Sequence, residues 1–415
     1  MGRAPLAGAV QEAPQALPAQ AHHRHRGAAH RPRRVSRPAH RQQGATWCDR
    51  PHHGYADHYG RRHPRRVRTG GTLQHAQGRS QVSRTAAVLG TGAWGTTFAA
   101  VLADGGTDVS LWGRDAEVAA QINTAHRNEG FLPGIDLPAS VKATTDIREA
   151  LANADIVAVA LPAQHMRGIV ANYAGLVPDQ AIVVSLMKGI ELNTHLRMSE
   201  VLAQAWDLPP ERIAVVSGPN LAREIALKQP TATVVGGIDE AATELIAEAT
   251  ASGYFRPYTN PDVVGVELCG AYKNVIAVSV GIADGLGFGN NTTATVMTRG
   301  LAEITRLGLA LGANPETFSG LAGMGDLIAT CASPLSRNHS LGSHIAKGVT
   351  LDEAIAQTGG TAEGVKTSLS IQQLAADVGV DVPICDAVVA MLHEGQPLDG
   401  VLAALLSRPR KAEIV

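Results

Sequence analysis

The stretch TAAVLGTGAWGTTFAAVLADGG, residues 85–106, decides the fold. Its opening, TAAVLG, is small and apolar and reads as a buried strand, and AWGTTFAAVLADG then reads as a helix that ends at Gly105-Gly106. Between them Gly90, Gly92 and Gly95 stand as G-x-G-x-x-G. Alone, that spacing is weak. After a strand and at the opening of a helix, it reads as a turn that holds a dinucleotide. Gly90 permits the tight turn, Gly92 lets a pyrophosphate approach the backbone, and Gly95 lets helix and strand pack closely. The helix N-terminus then faces the phosphate charge. The competing reading is a purely structural Gly-rich turn.

Outward from this unit, DVSLWG, ADIVAVALP, AIVVSLMKG and RIAVVSG follow at the spacing of strands alternating with helices. Continuous apolar strands of this kind predict a parallel sheet covered on both faces. After about Asp262 no further strands are expected. KNVIAVSVGIADG, TATVMTRGLAEITRLGLAL, LDEAIAQ and SLSIQQLAADVG all read as helices. The expected plan is a doubly wound α/β (Rossmann) N-terminal domain over residues 85–262 and an all-α, substrate-binding C-terminal domain over 263–415. No internal repeat is visible.

Residues 1–84 differ in kind. They hold roughly 16 Arg, no Lys and about 3 acidic residues, so the net charge of −1 for the 415-residue chain averages a basic tail with an acidic remainder. HHRHRGAAHRPRRVSRPAHRQ has almost no large aliphatic residue and cannot offset chain entropy by burial, so the tail is expected to be disordered. A translated upstream region, a weak nucleic-acid-binding tail and a transit peptide are the competing readings. The four cysteines are widely spaced, with no CxxC, which points to neither a disulfide framework nor a zinc site; a reducing cytoplasm is the default. No apolar run approaches the roughly 18 residues of a membrane helix, and the N-terminus lacks a signal h-region.

Where NAD is the cofactor, the second strand usually ends in an acidic residue that grips the ribose. Here SLWGRDAE gives Arg114, with Asp115 following as a candidate helix start. Arg114 suits a 2′-phosphate or stacks on adenine, so NADP(H) is expected to be accepted at least as well as NAD(H). Its alternative is a solvated surface charge.

Chemistry at an alcohol needs a proton acceptor and groups that stabilise the oxyanion. In ELCGAYKNVIAV, residues 267–278, Lys273 stands at the start of a run that otherwise reads as a buried helix. A buried amine needs a partner, so it either snorkels or works in a cleft. Lys188 lies just beyond a strand in SLMKGIE, where open α/β sheets bind ligands. Ser217-Gly218-Pro219-Asn220 follows another strand and reads equally as a turn and N-cap. Asp326 follows two glycines in AGMGDLIATC, with an N-cap as its bland role. Ser336, Arg337 and Asn338 cluster in a polar loop that suits a phosphate or carboxylate. Glu363 sits in a Gly-rich loop, GGTAEGVKTS, within reach of a cofactor or of nothing.

Together, GTGAWGTTFA, LWGRD, MKGIE, SGPNLAREIA, GAYKNVIAVSVGIADGLGFGNN, TRGLAEI, LAGMGDLIATC, SRN and AEGVKT resemble, in order, the bacterial NAD(P)-dependent sn-glycerol-3-phosphate dehydrogenase family over residues 85–411. The resemblance implies reversible hydride transfer between NAD(P)H and dihydroxyacetone phosphate, serving glycerophospholipid synthesis. It implies Lys273 as proton acceptor, Asp326 as the group orienting it, and Lys188 as a residue touching both substrate and cofactor. Gly218, Asn220, Ser336, Arg337 and Asn338 match substrate-binding positions, with Arg337 and Asn338 as the phosphate grip. Trp94, Arg114, Ala222, Arg337 and Glu363 match cofactor-binding positions, beside Gly90, Gly92 and Gly95. Asn274 and Thr330 add substrate hydrogen bonds. Asn220 replaces a hydroxyl residue of some members, and His339 an arginine. No metal, no membrane insertion and no nucleic acid are expected, and a homodimer is the candidate assembly. Two other readings stand beside this one. The first is another Rossmann-plus-helical dehydrogenase of β-hydroxyacid or 6-phosphogluconate type. The second is a non-catalytic dinucleotide sensor whose tail binds nucleic acid.

Overall fold

The computed structural model describes residues 84–333, 336–359, 362–409 and 412. The expectations for the basic tail, and for Cys48 within it, lie outside the described residues, apart from Arg84, which opens the first strand.

Eight strands form one sheet. They are β1 (Arg84–Leu89), β2 (Thr107–Trp112), β3 (Val141–Thr144), β4 (Ile156–Val159), β5 (Ile182–Ser185), β6 (Ile213–Ser217), β7 (Thr231–Gly237) and β8 (Phe255–Asn260). Their order is β3-β2-β1-β4-β5-β6-β7-β8, the doubly wound arrangement in which the chain reverses direction across β1 and β4. Helices α1 (Ala93–Asp104), α2 (Ala116–Ala125), α3 (Ile147–Leu151), α4 (Met166–Val170), α5 (Met198–Trp206), α6 (Ala222–Ala226) and α7 (Glu240–Thr250) connect them. The alternation along β1 shows why both faces are covered. Ala86 and Val88 pack into one apolar cluster with α1 residues such as Phe98 and Leu102, while Ala87 and Leu89 pack into another with Met166, Val201 and Trp206.

The sheet departs from an all-parallel one. β7 runs antiparallel to β6, and β8 then pairs parallel to β7. The connection from β6 to β7 runs through the five-residue α6 and brings the chain back beside β6 in the opposite direction. At the sheet's far edge, β8 carries Pro257 and several exposed residues, features that suit an edge strand.

Beyond Asn260 the described chain is helical. α8 (Val263–Gly285), α9 (Asn290–Ala310), α10 (Pro315–Ser319), α11 (Asp326–Ala332), α12 (Arg337–Ala346), α13 (Leu351–Gln357), α14 (Glu363–Asp377), α15 (Pro383–Leu392) and α16 (Leu398–Leu406) follow, with a π-helical turn at Leu321–Gly325 before α11. α8 begins ten residues before Lys273, because Asp262 caps it by accepting a hydrogen bond from Gly265 N at 2.9 Å. Lys273 is therefore mid-helix rather than at a helix start. Contrary to the sequence reading, α8 is long and apolar enough to cross a membrane, with a mean hydropathy of 1.4. That window is 89% buried inside the protein, and α8 forms the axis of the helical core. Each fully buried Val, Leu or Ile there contributes about 1.5–3 kcal/mol.

Candidate active site

Gly90, the residue after β1, adopts φ of +125°, and a Cβ there would lie 2.5 Å from the Ala160 carbonyl oxygen. At Gly95 a Cβ would lie 2.0 Å from the Gly90 carbonyl oxygen, so helix α1 packs onto the turn with no room for a side chain. Gly92 contrasts with both. Nothing lies within 4 Å of its missing Cβ, and as N-cap of α1 it leaves the first N–H groups without a side-chain partner. Open space before uncapped N–H groups fits a pyrophosphate. The indole Nε1 of Trp94, also buried, has no hydrogen-bond partner. Behind the turn, Asn128 is fully buried and donates from Nδ2 to Thr91 O at 2.8 Å and to Thr96 Oγ1 at 2.9 Å.

At the end of β2, Arg114 is exposed. Asp115 caps α2, with Oδ1 accepting from Glu117 N at 2.9 Å and Val118 N at 3.3 Å. Its carboxylate is thus already engaged, and no acidic residue ends β2 itself. Ala222 opens α6, where its carbonyl accepts from Thr97 Oγ1 on α1 at 3.1 Å.

A second group of residues meets where β5, β6, α8 and α11 converge. Lys188 Nζ donates to Asp326 Oδ2 at 2.6 Å and to the Gly218 carbonyl at 3.0 Å. Lys273 Nζ donates to Asp326 Oδ1 at 2.5 Å and to Thr330 Oγ1 at 2.7 Å. One carboxylate, 1% exposed, therefore holds two amines, one on each oxygen. Asp326 is the first residue of α11, yet its carboxylate engages the lysines rather than capping the helix. Thr330, one turn later on the same face, completes the cradle. Burial pushes the Lys188 ammonium down to about 8; Asp326 opposes this, and the neighbouring charge of Lys273 adds to it. The thiol of Cys331, beside Thr330, is pushed up to about 12 by burial. Cys269, Cys331 and Cys385 are free and buried.

Asn220, whose backbone N–H donates to Gly218 O at 2.7 Å, donates from Nδ2 to Thr233 Oγ1 at 2.9 Å and leaves its buried Oδ1 unpartnered. Ser336, Arg337 and Asn338 do not form a loop. Ser336 is the N-cap of the ten-residue α12, and Arg337 and Asn338 occupy its first turn. Arg337 is exposed, whereas Asn338 is buried, donating to Asn274 Oδ1 at 3.0 Å and accepting from Gly364 N at 3.0 Å. Glu363, expected in a loop, is the first residue of α14. Burial raises its carboxyl pKa, and the charges of Arg337, Lys273 and Lys188 act against that rise, so all three cations lie within its electrostatic reach. Asn274 Nδ2 lies 3.5 Å from Glu363 Oε2.

The chain is similar to known proteins over most of its length. Residues 85–243 match the model of the NAD-dependent glycerol-3-phosphate dehydrogenase N-terminus, and residues 262–403 that of its C-terminus. The chain is 56% identical to glycerol-3-phosphate dehydrogenase [NAD(P)+] of Streptomyces griseus over 328 residues, 79% of this chain and 98% of that protein. The corresponding Corynebacterium diphtheriae protein is 54% identical over 327 residues, 79% of this chain and 99% of that one. Among solved structures, glycerol-3-phosphate dehydrogenase of Coxiella burnetii superposes with a TM-score of 0.75 at 32% identity, covering 79% of this chain and 99% of its own.

The chain belongs to the NAD-dependent glycerol-3-phosphate dehydrogenase family.

For a glycerol-3-phosphate dehydrogenase family member, two parts of this arrangement escaped the sequence reading. Asn128 sits in the irregular segment HRNEG, with no periodicity to flag it. Glu267 is buried two turns before Lys273, and the same anomaly that singled out the lysine, a charge in an apolar run, pointed to it. Its partners Arg197 and Ser199 are far away in sequence and carry no motif.

Proposed function

We propose that this chain transfers hydride reversibly between NAD(P)H and dihydroxyacetone phosphate, giving sn-glycerol 3-phosphate for glycerophospholipid synthesis in the cytoplasm. The observation that carries the reading is the pair of amines sharing Asp326 at the carboxyl edge of the sheet, in a chain of this family.

The nicotinamide, when bound, supplies or takes up the hydride. Everything else falls to the protein. A neutral amine has two N–H groups and one lone pair. Asp326 Oδ1 and Thr330 Oγ1 occupy the two N–H directions of Lys273, so the lone pair is left to take the proton of the C2 hydroxyl. In the reducing direction the same nitrogen returns that proton to the ketone oxygen. Lys188, held by Asp326 and the Gly218 carbonyl, offers a second cation to the developing oxyanion and reaches substrate and cofactor together. Arg337 and the first N–H groups of α12 hold the phosphate, while Asn338 ties that helix to α8 and α14 and keeps one N–H free. The unpartnered Oδ1 of Asn220 receives a substrate hydroxyl. Gly90, Gly92, Gly95 and Trp94 cradle the dinucleotide, with Ala222, Arg114 and Glu363 along its length. With Asp115 engaged as a cap, Arg114 favours NADP(H) at least equally with NAD(H).

A panel of substrates and coenzymes tests this. Oxidation of NADPH and NADH should require dihydroxyacetone phosphate. Faster turnover of a phosphate-free 3-oxo or 3-hydroxy acid would favour a β-hydroxyacid dehydrogenase, and coenzyme binding without turnover a sensor.

A further inference from the structure

A buried carboxylate other than Asp326 joins the helix of Lys273 to the sheet. Glu267 of α8 is 6% exposed, and both its oxygens are filled from one short segment at the start of α5. Oε1 accepts from Ser199 N at 2.8 Å, and Oε2 accepts from Ser199 Oγ at 2.6 Å and Arg197 Nη1 at 2.7 Å. Arg197 is aimed in turn by Glu200, whose Oε1 accepts from Arg197 Nη2 at 2.7 Å and whose Oε2 accepts from Arg197 N at 2.9 Å. The segment that supplies these donors begins at Lys188. Between the two, Ile190 bridges to Arg197, and His195 reaches Asp377 and Gln373 of α14.

The polypeptide from 188 to 199 is therefore fastened to the helical half at both ends, by Lys188 on Asp326 and by Arg197 and Ser199 on Glu267. A buried ion pair gives little net stability over an apolar pair of the same shape. Its directional bonds do fix the helix against sliding and rotation, which apolar packing alone restrains less. Gly270, between Glu267 and Lys273, lets α8 approach the sheet so closely that a Cβ there would lie 2.7 Å from Ser217 Oγ.

We infer that Glu267 is a positioning residue, which with Arg197 and Ser199 sets the axial position of α8 and so places the Lys273 amine against the substrate carbinol. This rests on the proposed reduction of dihydroxyacetone phosphate. Glu267→Gln keeps the shape and opposes an amide N–H to a donor, removing the Arg197 bond. The expected result is a fall of tenfold or more in kcat with KM for NADPH within twofold, and a larger primary isotope effect with NADPH deuterated at the transferred hydrogen. Hydride and proton movement then become more rate-limiting. Arg197→Lys, which keeps a cation, should lie between Glu267→Gln and the parent. A merely structural role would reduce the amount of folded enzyme and leave both the isotope effect and kcat per folded site unchanged; that outcome overturns the inference. If Glu267→Gln does not fold, Ser199→Ala, which removes the bond the hydroxyl donates to Glu267 and the one it accepts from Arg197 Nη1 at 3.2 Å, gives the same reading. Should the parent itself fail to turn over dihydroxyacetone phosphate, the proposed function fails, which is a separate result.

Discussion

The two ends of the proposed reaction site are built by opposite means. The dinucleotide turn between β1 and α1 is backbone: glycines that leave space or allow contact, and N–H groups at a helix end. The amine–carboxylate end is side chain: Lys188, Lys273, Asp326 and Thr330 come from three separate regions of sequence and touch only after folding. A site made of backbone tolerates few residues but is local. A site made of side chains tolerates no loss of a functional group but depends on the packing of distant helices. Substitutions should therefore split the two ends, one failing in binding and stability, the other in turnover.

The largest effect is expected at Lys273. Lys273→Ala should lower kcat by roughly a thousandfold or more, the scale of a lost general acid–base group, with coenzyme affinity little changed. Steady-state kinetics with direct measurement of coenzyme binding checks both halves of the statement. A near-normal kcat would rule out the proton role.

Within the glycine turn the contrast is sharper still, because two neighbours should fail differently. Gly95→Ala places a methyl 2.0 Å from a carbonyl oxygen that belongs to the backbone. Overpacking of that kind costs about 1–3 kcal/mol, so thermal or denaturant unfolding should show clear destabilisation. Gly92→Ala meets open space. Its unfolding should match the parent, while KM for coenzyme rises several-fold because the methyl occupies the phosphate's approach. Equal stability of both variants would mean that the turn is looser than it stands here.

Lys188, at the amine–carboxylate end, offers a pH test. With its ammonium titrating at about 8 in the free protein, kcat/KM for ketone reduction should fall as pH rises through that value, since the cation is then lost. Lys188→Arg keeps the charge and should remove that limb while lowering the maximum. The linkage has the matching sign. Between about 8 and the ordinary lysine value of 10.5, the unfolded chain binds more protons at this residue than the folded one. Its contribution to stability therefore grows with pH across that window and is lost as pH falls through 8.

The sequence showed the backbone end well and the side-chain end in fragments. Gly90, Gly92 and Gly95 are contiguous with the strand and helix they join, so their spacing read together with those elements marked the turn. Lys273 was conspicuous as a charge in an apolar run, but its partner Asp326 is 53 positions away and reads locally as a helix cap. Glu267 shared the anomaly of Lys273 and went unread, because a carboxylate there matches no chemistry of the reaction. Arg337, Asn338 and Glu363 looked like loop residues since Gly, Ser and Pro surround them in sequence; Arg337 and Asn338 prove to open α12, and Glu363 to open α14. The reversal at β7 was hidden for a different reason. Strand direction leaves no mark on hydropathy, so nothing in TATVVGG told of the reversal.

The smallest effect should come from Arg114, and it decides how much of coenzyme choice is side chain at the end otherwise made of backbone. Its guanidinium is exposed, and Asp115, the nearby carboxylate that would favour an unphosphorylated ribose, is turned into the cap of α2. An exposed charge pair is worth about 0–1 kcal/mol, and a bidentate phosphate contact somewhat more. Arg114→Ala should thus lower kcat/KM for NADPH several-fold and leave NADH nearly unchanged, with most of the change in KM. Raising the salt concentration should shrink the difference between parent and variant, because screening weakens an exposed charge and not a packed ring. If NADH suffers equally and salt makes no difference, Arg114 acts by stacking on the adenine shared by both coenzymes, and the preference between them lies elsewhere in the turn.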